Sequence, residues 1–386
     1  MINYGKQNID ASDIEAVINA LKRDYITQGL LVDEFENDLN KYFKNKFSCA
    51  VSSGTAALHL IGLALGWKKN DIVITTPITF IATANSILYS NATPYLVDIN
   101  MNDYTIDPNK IEDSVKTHLK KNKRVKSIIG VDYAGHPCDW KSLRYIADKY
   151  ELDLVNDNCH SIGAEYNGDI GYASKYADIV AHSYHPVKHI TTGEGGAILT
   201  NDKGLFNKVK ILKTHGITKD PKELEKNDGP WYYEMKKLGY NYRLSDFQCA
   251  LGSNQLKKLS KFIKKRRSIA KKYDTFFSEK IGLRIPTSRK FVKHAYHIYP
   301  LLIDFKKFKI SKVQFFNEMS KNGINLQVHY IPVHHNPYYK DRFQFDDLNN
   351  SEKFYVQEVS LPIYFDLSEK QIDLVLNTIN QILILE

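Results

Sequence analysis

Lys188 sits in AHSYHPVKHITTGEGGAILT (181–200), between an apolar run and a Thr-Thr-Gly-Glu-Gly-Gly turn. A lysine at such a strand end can form an imine with an aldehyde once its neighbours lower its pKa and expose the neutral amine. Earlier in the chain, LDLVNDNCH puts Asp157 directly after another apolar run. A carboxylate there can pair with a protonated pyridine nitrogen and keep the ring cationic, which makes pyridoxal phosphate (PLP) an electron sink. It can equally cap a following helix. His160 either hydrogen-bonds that carboxylate or the ring, or is a satisfied buried histidine.

A phosphate needs a different device. AVSSGTAALHL (50–60) reads as a strand, a Gly-Thr turn and a helix. The unpaired amides at that helix start, the Thr55 hydroxyl and the positive end of the helix dipole would hold a phosphate. Ser183, just before Lys188, can add a hydroxyl. Phe80, in TTPITFIATAN, either lies flat on a pyridine ring or packs in the core.

The elements that must position these residues are short apolar runs alternating with helical stretches: CAVSS, DIVITT, PYLVDI, SIIGVD, LDLVND, DIVAHS and GAILT. Fully apolar strands between helices predict an α/β fold, a mostly parallel sheet covered on both faces, with ligands beyond the carboxyl ends of the strands. The large domain is expected over residues 1–259. A smaller C-terminal α+β domain is expected over 260–386, in the order helix, strand (HIYPLLID), helix, strand (NLQVHY) and two closing helices. Before the sheet, Ser12 with Glu15 reads as a capping box for a first helix, followed by a second amphipathic helix carrying Val32, Phe35, Leu39 and Tyr42. A long lysine-rich helix over 247–277 is read as a solvated face rather than a polyanion site.

The chain has 386 residues and a formal net charge of +9. That charge suits a phosphorylated small substrate as well as nucleic acid, and no nucleic-acid partner is expected. No leader and no membrane-length apolar run is visible, so the expected location is the cytoplasm. Cys49, Cys138, Cys159 and Cys249 lack the paired spacing of a zinc site or the density of a disulfide framework, and read as reduced, partly buried thiols; no metal site is expected.

YGKQNID, TQG (27–29), SSGTAAL, TTPITFIATAN, VDYAG, DNCH, SYHPVKHITTGEGG, HGITKDP, GYNYRLSDFQCALG and VHYIPVH, in this order, resemble the DegT-type nucleotide-sugar aminotransferases among the fold type I PLP enzymes, from Tyr4 to the last helix. The resemblance implies that Lys188 holds the cofactor and shuttles the proton, Asp157 faces the pyridine nitrogen, Phe80 stacks, and Gly54, Thr55, Ala56 and Ser183 bind phosphate. It further implies a homodimer with shared active sites, in which Asn241 of a second subunit closes the phosphate site and Arg243 lies near the entrance. Tyr4 and Thr27, at the matching early landmarks, are expected at the substrate. Some relatives carry histidine in place of the imine lysine and act as dehydratases; Lys188 argues for transamination.

HGITKDP, DGPWYYE (228–234) and VHYIPVHHNPYY (328–339) resemble the members of pseudaminic acid biosynthesis that aminate C4 of a UDP-linked 2-acetamido-4-keto-6-deoxy-L-sugar, with glutamate as donor. Arg243, His329 and His335 are then candidates to meet the sugar or pyrophosphate, against surface or core roles. Tyr184 replaces a common phenylalanine, His189 after the lysine is unusual, and SSGT replaces a frequent NSAT. A dTDP-linked keto sugar, a non-catalytic PLP-binding regulator and a basic nucleic-acid-binding protein are the competing readings.

Overall fold

Successive residues of a strand face opposite ways, so a run that is apolar throughout must be covered twice. In the computed structural model, which describes residues 1–384, that is the arrangement. Seven strands form one sheet: β1 (Phe47–Val51), β2 (Asp71–Thr75), β3 (Thr93–Leu96), β4 (Arg124–Val131), β5 (Asp153–Asp157), β6 (Ile179–Ser183) and β7 (Gly196–Thr200). Their order is β1-β7-β6-β5-β4-β2-β3. Neighbours pair in parallel except at β7, which runs antiparallel to both β6 and β1. Val51, Val73, Val155, Ile179 and Ile198 pack on the helix Gly54–Ala64, while Ala50, Ile72, Leu154, Val180 and Leu199 pack with Phe35, Leu143 and Leu256 on the other face. The mostly parallel, doubly covered sheet is the fold expected from the strand pattern.

The C-terminal part builds a second core on a small antiparallel sheet, β8 (Leu283–Arg284), β9 (Tyr299–Ile303) and β10 (Glu358–Leu361). One helix of 32 residues, Asp246–Phe277, joins the two cores. Its Leu256, Leu259, Phe262 and Ile263 belong to the first, and its Ile269, Ala270, Tyr273 and Phe277 to the second. Residue 260 therefore lies inside an unbroken helix. The second core also takes in Ile2, whose backbone pairs with Gly323 and Asn325.

Three local readings are corrected. The first helix, Ala11–Leu21, is capped by Asp10 rather than Ser12: the Asp10 carboxylate accepts from the Ser12 and Asp13 amides, and Asp13 accepts from the Asp10 amide at 3.0 Å. Asp13 is the better choice because it is buried and held by Asn254, Gln255 and Lys258 of the long helix. That helix is accordingly not a wholly solvated face. Arg266 is buried and donates to the carbonyls of Tyr296, His297 and Ile363, and burial lowers its pKa to about 10. Finally, NLQVHY is no strand. Only Ile324 and Gln327 make isolated bridges, and Glu358–Leu361 takes the sheet position beside β9. The 328–335 segment instead turns toward the large sheet, where Tyr330 finds a partner.

Candidate active site

Parallel strands bring their carboxyl ends to one edge, so the loops after β1, β2, β5 and β6 converge. Asp157 is the last residue of β5 and is buried. The Thr83 hydroxyl donates to its Oδ2 at 2.7 Å, Thr79 Oγ1 lies 2.8 Å from Thr83 Oγ1, and the Cys159 amide reaches Oδ1 at 3.3 Å. No helix begins after Asp157, so the capping role considered for it does not exist. The carboxylate is held from behind by the Thr79–Thr83 pair, one helical turn apart, and keeps acceptor capacity for a ring N–H.

Lys188 follows β6 through a tight turn in which its amide donates to His185 O at 2.9 Å. Burial lowers its pKa, partly opposed by the Cys159 and Asp157 charges, which raises the share of neutral amine. The TTGEGG turn folds back on the same loop: Thr191 Oγ1 and the Thr192 amide both donate to Tyr184 O, and Gly193 takes φ +80°, which a glycine adopts without strain. Tyr184 is fully buried, and its hydroxyl lies 3.3 Å from His182 Nδ1, which accounts for a tyrosine where phenylalanine is common. His189 sets Nε2 3.2 Å from Ala295 O.

Phe80 ends the loop after β2 and is 56% exposed, so it is not a core residue. Its ring centroid lies 6.0 Å from that of Tyr330. His160 does not bond Asp157. The Ala134 amide donates to its Nδ1 at 3.4 Å, and its Nε2 meets the Tyr330 hydroxyl at 2.9 Å. Burial, with the Lys188 charge second, holds His160 well below the usual histidine range, so it is a neutral ring that fixes Tyr330.

At the phosphate turn, Ser53 caps the helix Gly54–Ala64 and its hydroxyl takes the Ala56 amide at 3.0 Å. The Gly54 and Thr55 amides are left as donors, and Ala56 contributes only if Ser53 rotates away. Ser183 closes the other side: a Cβ at Gly54 would sit 2.8 Å from Ser183 Cβ and 3.4 Å from Cys159 Sγ. Only glycine allows so close an approach to Ser183, and the amide and hydroxyl donors gathered there are of the kind a phosphate takes. The same edge thus offers an amine, a buried carboxylate, an exposed aromatic face and an anion cradle, which together match an aldehyde-bearing pyridinium phosphate.

The residues expected at the substrate divide. The Tyr4 ring lies 5.0 Å from that of His329, beside Tyr330. His329 is buried, with Nδ1 2.8 Å from Ser360 Oγ and its amide donating to Glu358, and burial lowers its pKa to about 3. It therefore carries no charge to meet a pyrophosphate, which leaves the sugar or the core role of the alternatives considered for it. His335 is part exposed, and its Nε2 lies 2.7 Å from Glu352 Oε1. Thr27, Asn241 and Arg243 lie on segments outside the loop that carries Lys188, and the Tyr242 carbonyl between Asn241 and Arg243 accepts from the Ser52 amide at 2.9 Å. Thr27 bridges to Ser245 and Asn241 to Thr214, and Arg243 lines a separate cleft of about 1010 Å³ with Gln28, Lys213 and Lys236.

Sequence reasoning missed Tyr330, Thr79, Thr83 and the buried Asp132. Asp132 accepts from the Cys138 amide, Trp140 Nε1, Asn158 and Tyr172, and so anchors the loop after Asp157. Thr79 and Thr83, at helical spacing in TTPITFIATAN, were the one visible signal. No described helix is long and apolar enough to cross a membrane.

A family model described as the DegT/DnrJ/EryC1/StrS aminotransferase family matches residues 7–380. The chain is 40% identical over 383 residues to a Campylobacter jejuni UDP-4-amino-4,6-dideoxy-N-acetyl-beta-L-altrosamine transaminase, covering 99% of this chain and 98% of that one. Among solved structures it is similar to Helicobacter pylori PseC, an aminotransferase involved in the biosynthesis of pseudoaminic acid (TM-score 0.88, 32% identity, 99% of both chains). It is also similar to the PLP form of Spr1654 from Streptococcus pneumoniae (TM-score 0.88, 25% identity, 98% of both chains). The chain belongs to the DegT/DnrJ/EryC1/StrS aminotransferase family and is a PLP-dependent sugar aminotransferase.

Proposed function

We propose that this enzyme transfers the amino group of L-glutamate to C4 of UDP-2-acetamido-2,6-dideoxy-β-L-arabino-hexos-4-ulose, in the cytoplasm, as a homodimer. The observation that carries the reading is end-to-end similarity, without a gap in either chain's coverage worth a domain, to a relative named for the amine this reaction forms. Bound PLP supplies the electron sink for the carbon that loses or gains its proton.

The chain's own residues do the rest. Lys188 would hold the cofactor through its amine and, once free, would move the proton at the reacting carbon; its lowered pKa suits both taking and returning that proton. Asp157 keeps the pyridine nitrogen protonated, Phe80 covers the ring, and the Gly54, Thr55 and Ser183 donors hold the phosphate. Asn241 closes the phosphate site of the partner subunit, and Arg243 lies near the entrance, where it lines a cleft with Gln28, Lys213 and Lys236.

The test is direct. The holoenzyme is given the UDP-4-keto sugar with glutamate, and the 4-amino product is sought by mass spectrometry beside a dTDP-linked 4-keto-6-deoxy sugar. Amination of the UDP sugar at the higher kcat/KM is expected. Preference for the dTDP sugar overturns the substrate, and no amination of either by a protein that loads PLP favours the regulator. Lys188→Ala should lower turnover at least about 10³-fold.

A further inference from the structure

The segment that delivers Tyr330 continues into the turn Val333–His335, and both histidines of that turn aim at one carboxylate oxygen. His334 Nε2 lies 2.6 Å and His335 Nε2 2.7 Å from Oε1 of Glu352, on the helix Asn349–Gln357. The two rings pack edge to face with centroids 4.7 Å apart. Among the described residues no lysine or arginine pairs with Glu352, and no other group of three His, Cys, Asp or Glu side chains converges with metal-ligand spacing. By contrast, Lys110 pairs with buried Asp98 and Arg289 with buried Asp103.

We propose that His334, His335 and Glu352 form a site for a divalent transition-metal ion, Zn²⁺ foremost, outside the cofactor pocket, with water completing the coordination. Two imidazole nitrogens and one carboxylate oxygen are a donor set that suits zinc and leaves a position for solvent. The three ligand atoms all lie within 4.8 Å of one another. Bonds of about 2.0–2.1 Å in a tetrahedron put neighbouring ligand atoms roughly 3.3 Å apart, so the contacts need open by less than about 1 Å. Each ring would metallate through Nε2 and carry its proton on Nδ1. Two ligands come from the turn and one from the helix that runs directly into β10. The ion would therefore staple the Tyr330 segment to the C-terminal core.

Tag-free holoenzyme is titrated with ZnCl₂ at neutral pH by calorimetry, and with Co²⁺ followed by its visible d–d bands. One ion per chain is expected, with a raised thermal midpoint. Glu352→Gln and His335→Asn should each weaken Zn²⁺ by more than about tenfold, since even an outer-sphere change costs that much. His215→Asn, at an exposed histidine outside the cluster, should not. Absence of Zn²⁺ and Co²⁺ binding, or binding that both cluster variants retain unchanged, overturns the site. The retained cofactor absorbance of each variant shows that it is folded.

Discussion

Thr83 hands its hydroxyl proton to Asp157 Oδ2 at 2.7 Å, across 74 residues of chain, and is itself met by Thr79 at 2.8 Å. The pair fixes the carboxylate proposed to face the pyridine nitrogen, with Thr83 on the helix that starts beside Phe80. Thr83→Val keeps the shape and removes the donor. Losing a buried hydrogen bond to a charged acceptor costs about 1–3 kcal/mol. If that loss is felt in the transition state, kcat falls roughly tenfold with little change in KM. Unchanged kcat in single-turnover kinetics would remove Thr83 from the positioning of Asp157.

Buried histidines give the protein a pH dependence whose sign can be worked out. Burial lowers His136 to about 4 and His182 and His329 to about 3, and holds His160, His189, His294 and His297 well below the usual range. Between about pH 6.5 and 4 the unfolded chain binds protons that these native rings refuse, so stability falls as pH falls through that window, by up to about 1.4 kcal/mol per pH unit per ring. Asp132, raised to about 6 by burial, acts oppositely: its contribution is present below about 3.8 and is lost as pH rises through 6. Glu358, raised by burial, has the same sign as Asp132. The histidines outnumber these acids, and urea midpoints should drop steeply from pH 7 to 5. His182→Gln should flatten that slope by about one proton. An unaltered slope would mean His182 titrates normally in the native state.

The proposed role of Asn241 in the partner subunit's site is testable by complementation. Lys188→Ala and Asn241→Ala homodimers should both be nearly inactive. In a two-fold dimer with shared sites, a mixed dimer combines both lesions in one site and leaves the other intact. Refolding the two variants together should then restore about a quarter of wild-type activity, half of the dimers being mixed and each having one good site. If every site is built from one chain alone, mixing restores nothing.

Lys188, Asp157, Ser183 and Gly54 could be placed from the sequence because each follows a short apolar run, and a run's end locates a strand's end without knowledge of the rest of the fold. What stayed hidden depends on distant partners. Tyr330 meets His160 across 170 residues, and Arg266 finds its three carbonyls in two other segments. Asp10 rather than Ser12 caps the first helix because Lys258 and Gln255 reach Asp13 from the long helix. NLQVHY has strand-like alternation, yet Glu358–Leu361 takes the place beside β9 and leaves that segment free to cross toward the large sheet. His329 and His335 were legible as histidines near a substrate motif; that one is buried on Ser360 and the other turned onto Glu352 is set by residues that no local pattern names.

Gly54 separates the two ways in which the phosphate cradle can fail. A methyl group there would stand 2.8 Å from Ser183 Cβ and 3.2 Å from Ser183 Oγ, so Ser183, a proposed phosphate donor, would have to shift. Gly54→Ala should therefore fold, because alanine is the better residue in the first turn of a helix, yet bind PLP at least about tenfold more weakly, the equivalent of a 1.4 kcal/mol loss. Ser183→Ala removes only a hydroxyl and should weaken PLP by a hydrogen bond's net worth, about 1 kcal/mol. In the double variant Gly54→Ala/Ser183→Gly the clash is relieved while the hydroxyl stays lost, so its affinity should recover to the level of Ser183→Ala. Fluorescence titration of the apoenzymes with PLP reads all three. A Gly54→Ala protein that binds PLP as tightly as the parent would show that the anion rests elsewhere on the sheet edge.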